Sequence, residues 1–335
     1  MLMSFLISIL LPASVAGADP TYHLLKEIPV GGAGGWDYLT SDDAAHRLYV
    51  THGVKIVVID TEKDAVAGEI ADTPGVHGFA IAPDLQRGFS SNGREAKAGI
   101  IYLKTLTTLA KVGTGENPDA IIYASAQHEV YTFNGKGESA TVFDASTGKV
   151  TATISLPGKP EFAAYDPATG LVYDNIEDKN EVVVIDAKSH RVAKTWPIAP
   201  GTEASGLAID LEHHRLFIGC HNRLMLMMDG TNGKVVASVP IGDRVDANAF
   251  DPGSQMAFSS NGDGTLTIAH EDAPDKLTVV QSVTTQKGAR TMAIDRITQK
   301  IYLATAQFQA PAAGEPPSAR PTPLPGTFKI LVFGK

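Results

Sequence analysis

Apolar and polar positions alternate along this chain in short bursts, each closed by Asp, Asn, Gly or Pro, and no segment carries an apolar stripe of helical period. One pattern returns. A short run holding an aromatic residue occurs at Leu48-Tyr49-Val50, Gly88-Phe89-Ser90, Val130-Tyr131-Thr132, Val172-Tyr173-Asp174, Leu216-Phe217-Ile218, Ala257-Phe258-Ser259 and Ile301-Tyr302-Leu303. The aromatic positions are 40, 42, 42, 44, 41 and 44 residues apart. That period is the length of a four-stranded propeller blade.

Eight residues before each aromatic lies an apolar companion, at Ile81, Tyr123, Tyr165, Ile209, Phe250 and Ile294, with Ser41 the departure in the first repeat. Asp or Pro follows in most copies, as in Asp166-Pro167, Asp210, Asp251-Pro252 and Asp295, so a hairpin turn precedes the aromatic strand. A β-branched run comes next, such as Val182 to Asp186, and then a polar turn such as Asn232-Gly233-Lys234 leading into a fourth strand. The unit is therefore four antiparallel strands, a to d. The seventh unit stops after its c-like strand, Thr327 to Phe333, while Tyr22 to Val30 resembles a d strand. Pairing those two closes a ring of seven blades and removes two exposed edges. A sandwich of short strands shares the turns but neither the sevenfold spacing nor the split last unit.

The domain map that follows has a signal peptide over 1–18 and one propeller domain over 19–335, with a Pro-rich insertion at 310–326. The leader reading rests on an uncharged start, an apolar run from Phe5 to Leu11 and the Ala16-Gly17-Ala18 cleavage pattern. It implies a periplasmic or extracellular protein with no membrane span once the leader is removed. The prolines between Ala310 and Gly326 predict an extended surface loop that does not pair in a sheet. With 28 basic against 37 acidic residues the net charge is -9, which disfavours nucleic acid as a partner. A lone Cys220 excludes an internal disulfide, a thiolate cluster and a heme attachment motif.

Tyr49-Val50-Thr51-His52 and Val183-Val184-Ile185-Asp186 give the chain, from Tyr22 to Phe333, a resemblance to the YVTN-type, or YncE-like, family of secreted seven-bladed β-propellers. The resemblance implies the fold strongly and the activity weakly, because many members are known only as binding proteins and related propellers include lactonases and heme- or quinone-linked redox enzymes. It also implies that ligands bind at the channel mouth, where the loops entering strand a and joining b to c meet.

Counting four residues back from each companion places Asp37, His77, Asp119, Glu161, Ser205, Asp246 and Arg290 around that mouth. All but one are ionisable, in a chain only 19% charged. A second column, three residues past each aromatic, holds His52, Asn92, Asn134, Ile176, Cys220, Asn261 and Thr305, with His221 next to Cys220. Trp36 offers a stacking surface for a planar or sugar ligand. The two columns, read as one cup, predict binding of a small polar molecule or a periplasmic protein without catalysis. The alternative is a metal-assisted hydrolase or lyase in the same mouth, with a divalent ion on His52, His77 or His221 and Glu161 or a His moving the proton. Docking of a redox partner through the acidic surface is a third reading. Single Asp or Glu residues in such columns also brace loops by accepting backbone N–H bonds. Met225, Met227 and Met228 read as core filling, and His213 and His214 as solvated residues of a turn on the opposite face.

Overall fold

The computed structural model describes residues 21–310 and 321–335, so the leader assignment and the middle of the Pro-rich segment lie outside the described residues. The strands form seven four-stranded antiparallel sheets. The first blade is β2 (Trp36–Asp42), β3 (Arg47–His52), β4 (Lys55–Asp60) and β5 (Ala65–Ile70), and the second is β6 (Val76–Ala82), β7 (Arg87–Asn92), β8 (Lys97–Tyr102) and β9 (Thr107–Gly113). The third is β10 (Pro118–Ala124), β11 (Glu129–Asn134), β12 (Ser139–Asp144) and β13 (Val150–Ser155); the fourth is β14 (Pro160–Asp166), β15 (Leu171–Ile176), β16 (Glu181–Asp186) and β17 (Arg191–Pro197). The fifth is β18 (Ala204–Asp210), β19 (Arg215–Cys220), β20 (Leu224–Asp229) and β21 (Val235–Pro240), and the sixth is β22 (Val245–Asp251), β23 (Met256–Asn261), β24 (Thr265–Ala273) and β25 (Lys276–Thr284). The seventh joins β26 (Thr291–Asp295), β27 (Lys300–Thr305) and β28 (Lys329–Gly334) to β1 (His23–Pro29). Helix among the described residues amounts to three single 3-10 turns.

The seven aromatics that set the period are all buried, because each is the b-strand residue wedged between neighbouring sheets. Two of them also bridge blades: the hydroxyls of Tyr131 and Tyr173 donate to the carbonyls of Ala187 and Gly230 at 3.2 and 3.0 Å. A second set of ties starts at the first residue of strand b. Arg47 donates to Leu103 O at 2.9 Å, Arg87 to Ala145 O at 2.7 Å, Arg215 to Pro274 O at 2.9 Å and Lys300 to Thr61 O at 3.4 Å. Lys300 thereby links the last blade to the first. The a-to-b turn ends in a left-handed residue in every blade: His46, Gln86, His128, Gly170, His214, Gln255 and Gln299. One turn geometry thus repeats whatever its side chains.

β1 pairs with β28 from His23 opposite Gly334 to Pro29 opposite Lys329, so the first strand completes the last sheet. Tyr22 anchors it, ring edge-on to Phe258 and backbone bonded both ways to Gln281. The flanks of the Pro-rich segment stay outside the seven sheets but meet each other. Phe308 and Pro323 form an antiparallel bridge, with Gln309 N–H donating to Thr322 O at 2.8 Å and Leu324 N–H to Gln307 O at 2.7 Å. The prolines do not prevent it because every donor in this short ladder is a non-proline amide.

Strand a of each blade lines the central channel, whose lower part is a cavity of about 430 Å³ walled by residues such as Ile81, Tyr123, Tyr165, Ile209, Phe250 and Ile294. These are the apolar companions read from the repeat. Met225, Met227 and Met228 are fully buried on β20, as core residues.

Candidate functional site

The pairing of strand a with strand b slips near the start of β2, β6, β10, β14, β18 and β22. The bulge frees two residues from the ladder in the first five strands and Asp246 alone in β22, and it re-aims their side chains. Their backbone groups are taken up by side chains of strand b, from the same blade or from the one before. Thr51 Oγ1 accepts from Asp37 N–H and donates to Tyr38 O, both at 3.1 Å, Ser91 Oγ accepts from Gly78 N–H at 2.8 Å, and Asn175 Nδ2 donates to Ser205 O at 2.9 Å. The second residue of each bulged strand is a member of the charged column.

Released in this way, the column members meet one another. His77 Nδ1 lies 2.6 Å from Asp37 Oδ2 and 3.7 Å from Asp119 Oδ1. Arg290 makes a close ion pair with Asp246 and stands 4.0 Å from Asp37, while Ser205 donates to Asp246 at 3.1 Å. Asp37 therefore connects the two arcs. Glu161 pairs with Lys159 at 3.0 Å, and Lys159 also contacts Glu177. Beneath them the Tyr38 hydroxyl crosses the channel to donate to Glu161 O at 2.9 Å, and its ring packs on Phe162 at 4.9 Å. Tyr38 and Phe162 form a floor between the charged cup and the apolar channel.

Carboxylates outnumber cations here, and the titrations reflect it. Burial, then the charges of Asp37 and Glu161, hold the Asp119 carboxyl up at about 8, against the opposing pull of His77 and Lys159. Burial followed by Glu177 and Asp37 raises Glu161, with Lys159 in opposition. Fully buried Asp174 is held well above the usual carboxylate range by burial and then by Glu161. For His77 burial acts downward, but the bond to Asp37 and the charges of Asp119, Asp37 and Glu161 prevail and bring it to about 9. At neutral pH the imidazole is a cation and Asp119 keeps its proton.

The second column does not join the cup. Its seven members end strand b, still inside the ladder, and all are buried. Asn134 Nδ2 donates to Ser139 and Thr141 at 3.2 and 3.1 Å, Asn261 repeats this with Thr265 and Thr267, and Asn92 donates to Glu95 at 2.9 Å. The expectation that Asn92 and Asn134 face a ligand is corrected: the Asn134 amide stitches b to c, and that of Asn92 is held by the turn between them. His52 stacks on Phe328 at 4.2 Å, and Trp36 is buried against Phe328 and Phe308. Trp36 thus presents no stacking face to the cup. His221 sits on the rim, with Nε2 at 3.1 Å from Val245 O and Nδ1 at 3.8 Å from Glu203. The mouth residues near enough to share an ion are Asp37, His77 and Asp119, with ligand atoms within 4.8 Å of each other, and neither His52 nor His221 belongs to that trio. Cys220 is buried, and burial pushes its thiol up to about 12.

Sequence reasoning passed over Lys159, Asp174 and Tyr38. Lys159 had a signal, a cation two residues before the column position Glu161; the other two become visible only when the channel closes.

No protein-family profile matches the sequence, and no curated protein matches it. Among solved structures the chain is similar to a chain of Kuenenia stuttgartiensis hydrazine synthase, at 14% identity over 81% of this chain and 92% of that one, with a TM-score of 0.72. It is also similar to a chain from the crystal structure of a mitotic checkpoint complex, at 14% identity over 90% and 95% of the two chains, with a TM-score of 0.74. At such identities the likeness concerns the fold alone, a seven-bladed propeller. No helix among the described residues is long and apolar enough to cross a membrane.

Proposed function

We propose that this is a secreted propeller of the YVTN type that binds a small polar ligand at its channel mouth without catalysing a reaction, and that the ligand carries a cationic group such as a protonated amine. The observation behind this reading is the pair Asp119 and Glu161, carboxyls pushed up by burial and by neighbouring carboxylates inside a cup that already holds Asp37, Asp246 and Glu177. A positive ligand takes over the role of the proton on Asp119 and relieves that repulsion. His77 and Arg290 fix the remaining carboxylates and supply donors to a neutral or anionic part of the same molecule. A periplasmic protein partner would use the same cup through a lysine or arginine side chain.

Calorimetric titration with putrescine, lysine and arginine as probes tests this. Binding is expected for at least one probe, tightening as pH rises toward 8 and Asp119 releases its proton, and weakening about tenfold or more in Asp119→Asn. No binding by any probe, or affinity indifferent to Asp119→Asn, would sink the reading. The trio Asp37, His77 and Asp119 keeps the metal-assisted hydrolase or lyase as a second reading, in which an ion polarises a substrate carbonyl and Glu161 or His77 handles the proton. Stoichiometric metal in untagged protein, lost in His77→Ala, favours that one.

A further inference from the structure

The end of the ring opposite the mouth holds a second polar cluster with a different construction. β24 and β25 are nine residues each, where every other strand among the described residues has five to seven. The extra length carries the hairpin of the sixth blade over the fifth, and Arg215 of β19 fastens the tip by donating to Pro274 O at 2.9 Å. Glu271, on the overhang, is only 5% exposed. It is brought against Asp210, the buried last residue of β18, and His213 in the turn that follows, with ligand atoms of the three within 4.8 Å of one another. The solvated turn expected for His213 is thus half true: its side chain is 40% exposed, but Nδ1 is 2.6 Å from Asp210 Oδ2.

Two features mark this cluster as unfinished. Glu271 Oε2 is buried without a hydrogen-bond partner. Asp210 and Glu271 each offer a carboxylate oxygen to the same small space, where one imidazole is the single basic group among the three. Asp210 and the corresponding aspartate of the sixth blade, Asp251, each accept a turn amide, from Glu212 and Gly253, but the second oxygen of Asp251 meets the neutral donors Ser254 and Gln299 where that of Asp210 meets His213. A cleft of about 170 Å³ lined by His213, Gln255, Glu271 and Asp272 opens onto the cluster.

We propose that Asp210, His213 and Glu271 bind a divalent transition-metal ion that pins the long hairpin of the sixth blade to the fifth. One imidazole nitrogen with two carboxylate oxygens suits zinc or manganese rather than calcium, which takes six to eight oxygens. The ion replaces the proton between His213 and Asp210, and the partly exposed imidazole backs away by a few tenths of an ångström to admit bonds of about 2.0–2.2 Å. Its open positions face the cleft.

The test is a zinc titration of the full chain, purified without a polyhistidine tag and stripped with chelator, read by calorimetry and thermal melting. One tight equivalent and a raised Tm are expected. Glu271→Gln and His213→Ala should each weaken binding by about tenfold or more, while Asp119→Asn and His77→Ala leave it unchanged. Glu271→Gln keeps the side chain's shape and removes the carboxylate repulsion, so its metal-free Tm should equal or exceed that of the parent. Absence of stoichiometric zinc, or zinc lost with the mouth variants instead of Glu271→Gln, overturns the proposal.

Discussion

Two columns of polar side chains circle the same rim, and only one of them builds the cup. Asp37, His77, Asp119, Glu161 and Asp246 stand where strand a has slipped from its ladder, and they pair with one another or with the cations beside them. Asn92, Asn134 and Asn261 stand where strand b is still laddered on both sides, and they bond to residues of their own hairpins. Side-chain polarity is shared; backbone pairing is not. A polar residue inside a regular ladder is turned between the sheets, where it must find partners in its own blade, whereas one on a bulge is available to the channel.

The sharpest way to break the contrast is to delete one member of each column. Asn134→Ala strips partners from Ser139 and Thr141 in a buried place and should cost about 3 kcal/mol in denaturant unfolding, with probe binding at the mouth unchanged. Equal stability loss in Asp119→Asn would erase the distinction, since that change is expected to leave stability level or higher.

A pH series comes next in size. The folded state holds a proton on Asp119 up to about pH 8 and on His77 up to about pH 9, well above their ordinary values of 3.8 and 6.5. It therefore binds more protons than the unfolded chain between those limits, so the stabilisation is whole at low pH and is lost as pH climbs through the folded values. Unfolding free energy should fall from about pH 4 to about pH 9, by about 1.4 kcal/mol per pH unit where one group contributes and about twice that between 6.5 and 8 where both do, and the slope should flatten in Asp119→Asn. A stability that rises over this range would refute the charge assignment. Smallest is Tyr38→Phe, which removes the bond across the channel to Glu161 O and should cost about 1 kcal/mol, read by thermal melting, while Asn134-type losses stay larger.

Much of the wheel was readable in advance because a blade cannot form without burying one large b-strand residue, so Tyr49, Phe89 and their successors betray the period. The charged column was readable for the same reason, by counting back from those fixed points. What escaped depends on contacts between remote parts of the chain. Trp36 and His52 are covered by Phe328, nearly three hundred residues later, and nothing local to either reveals it. Lys159 and Asp174 matter through their distance from Glu161, and Glu271 meets Asp210 only because one hairpin runs three residues past its siblings.

The seam between β1 and β28 also orders events in time. A chain made from its N-terminus onward offers His23–Pro29 first and Lys329–Gly334 last, so the earliest strand waits, unmatched, through the appearance of every other one. Contacts of such sequence separation are slow to form. Whatever keeps that waiting segment from pairing with another chain, its charged Lys26 and Glu27 among the means, governs the yield of intact rings.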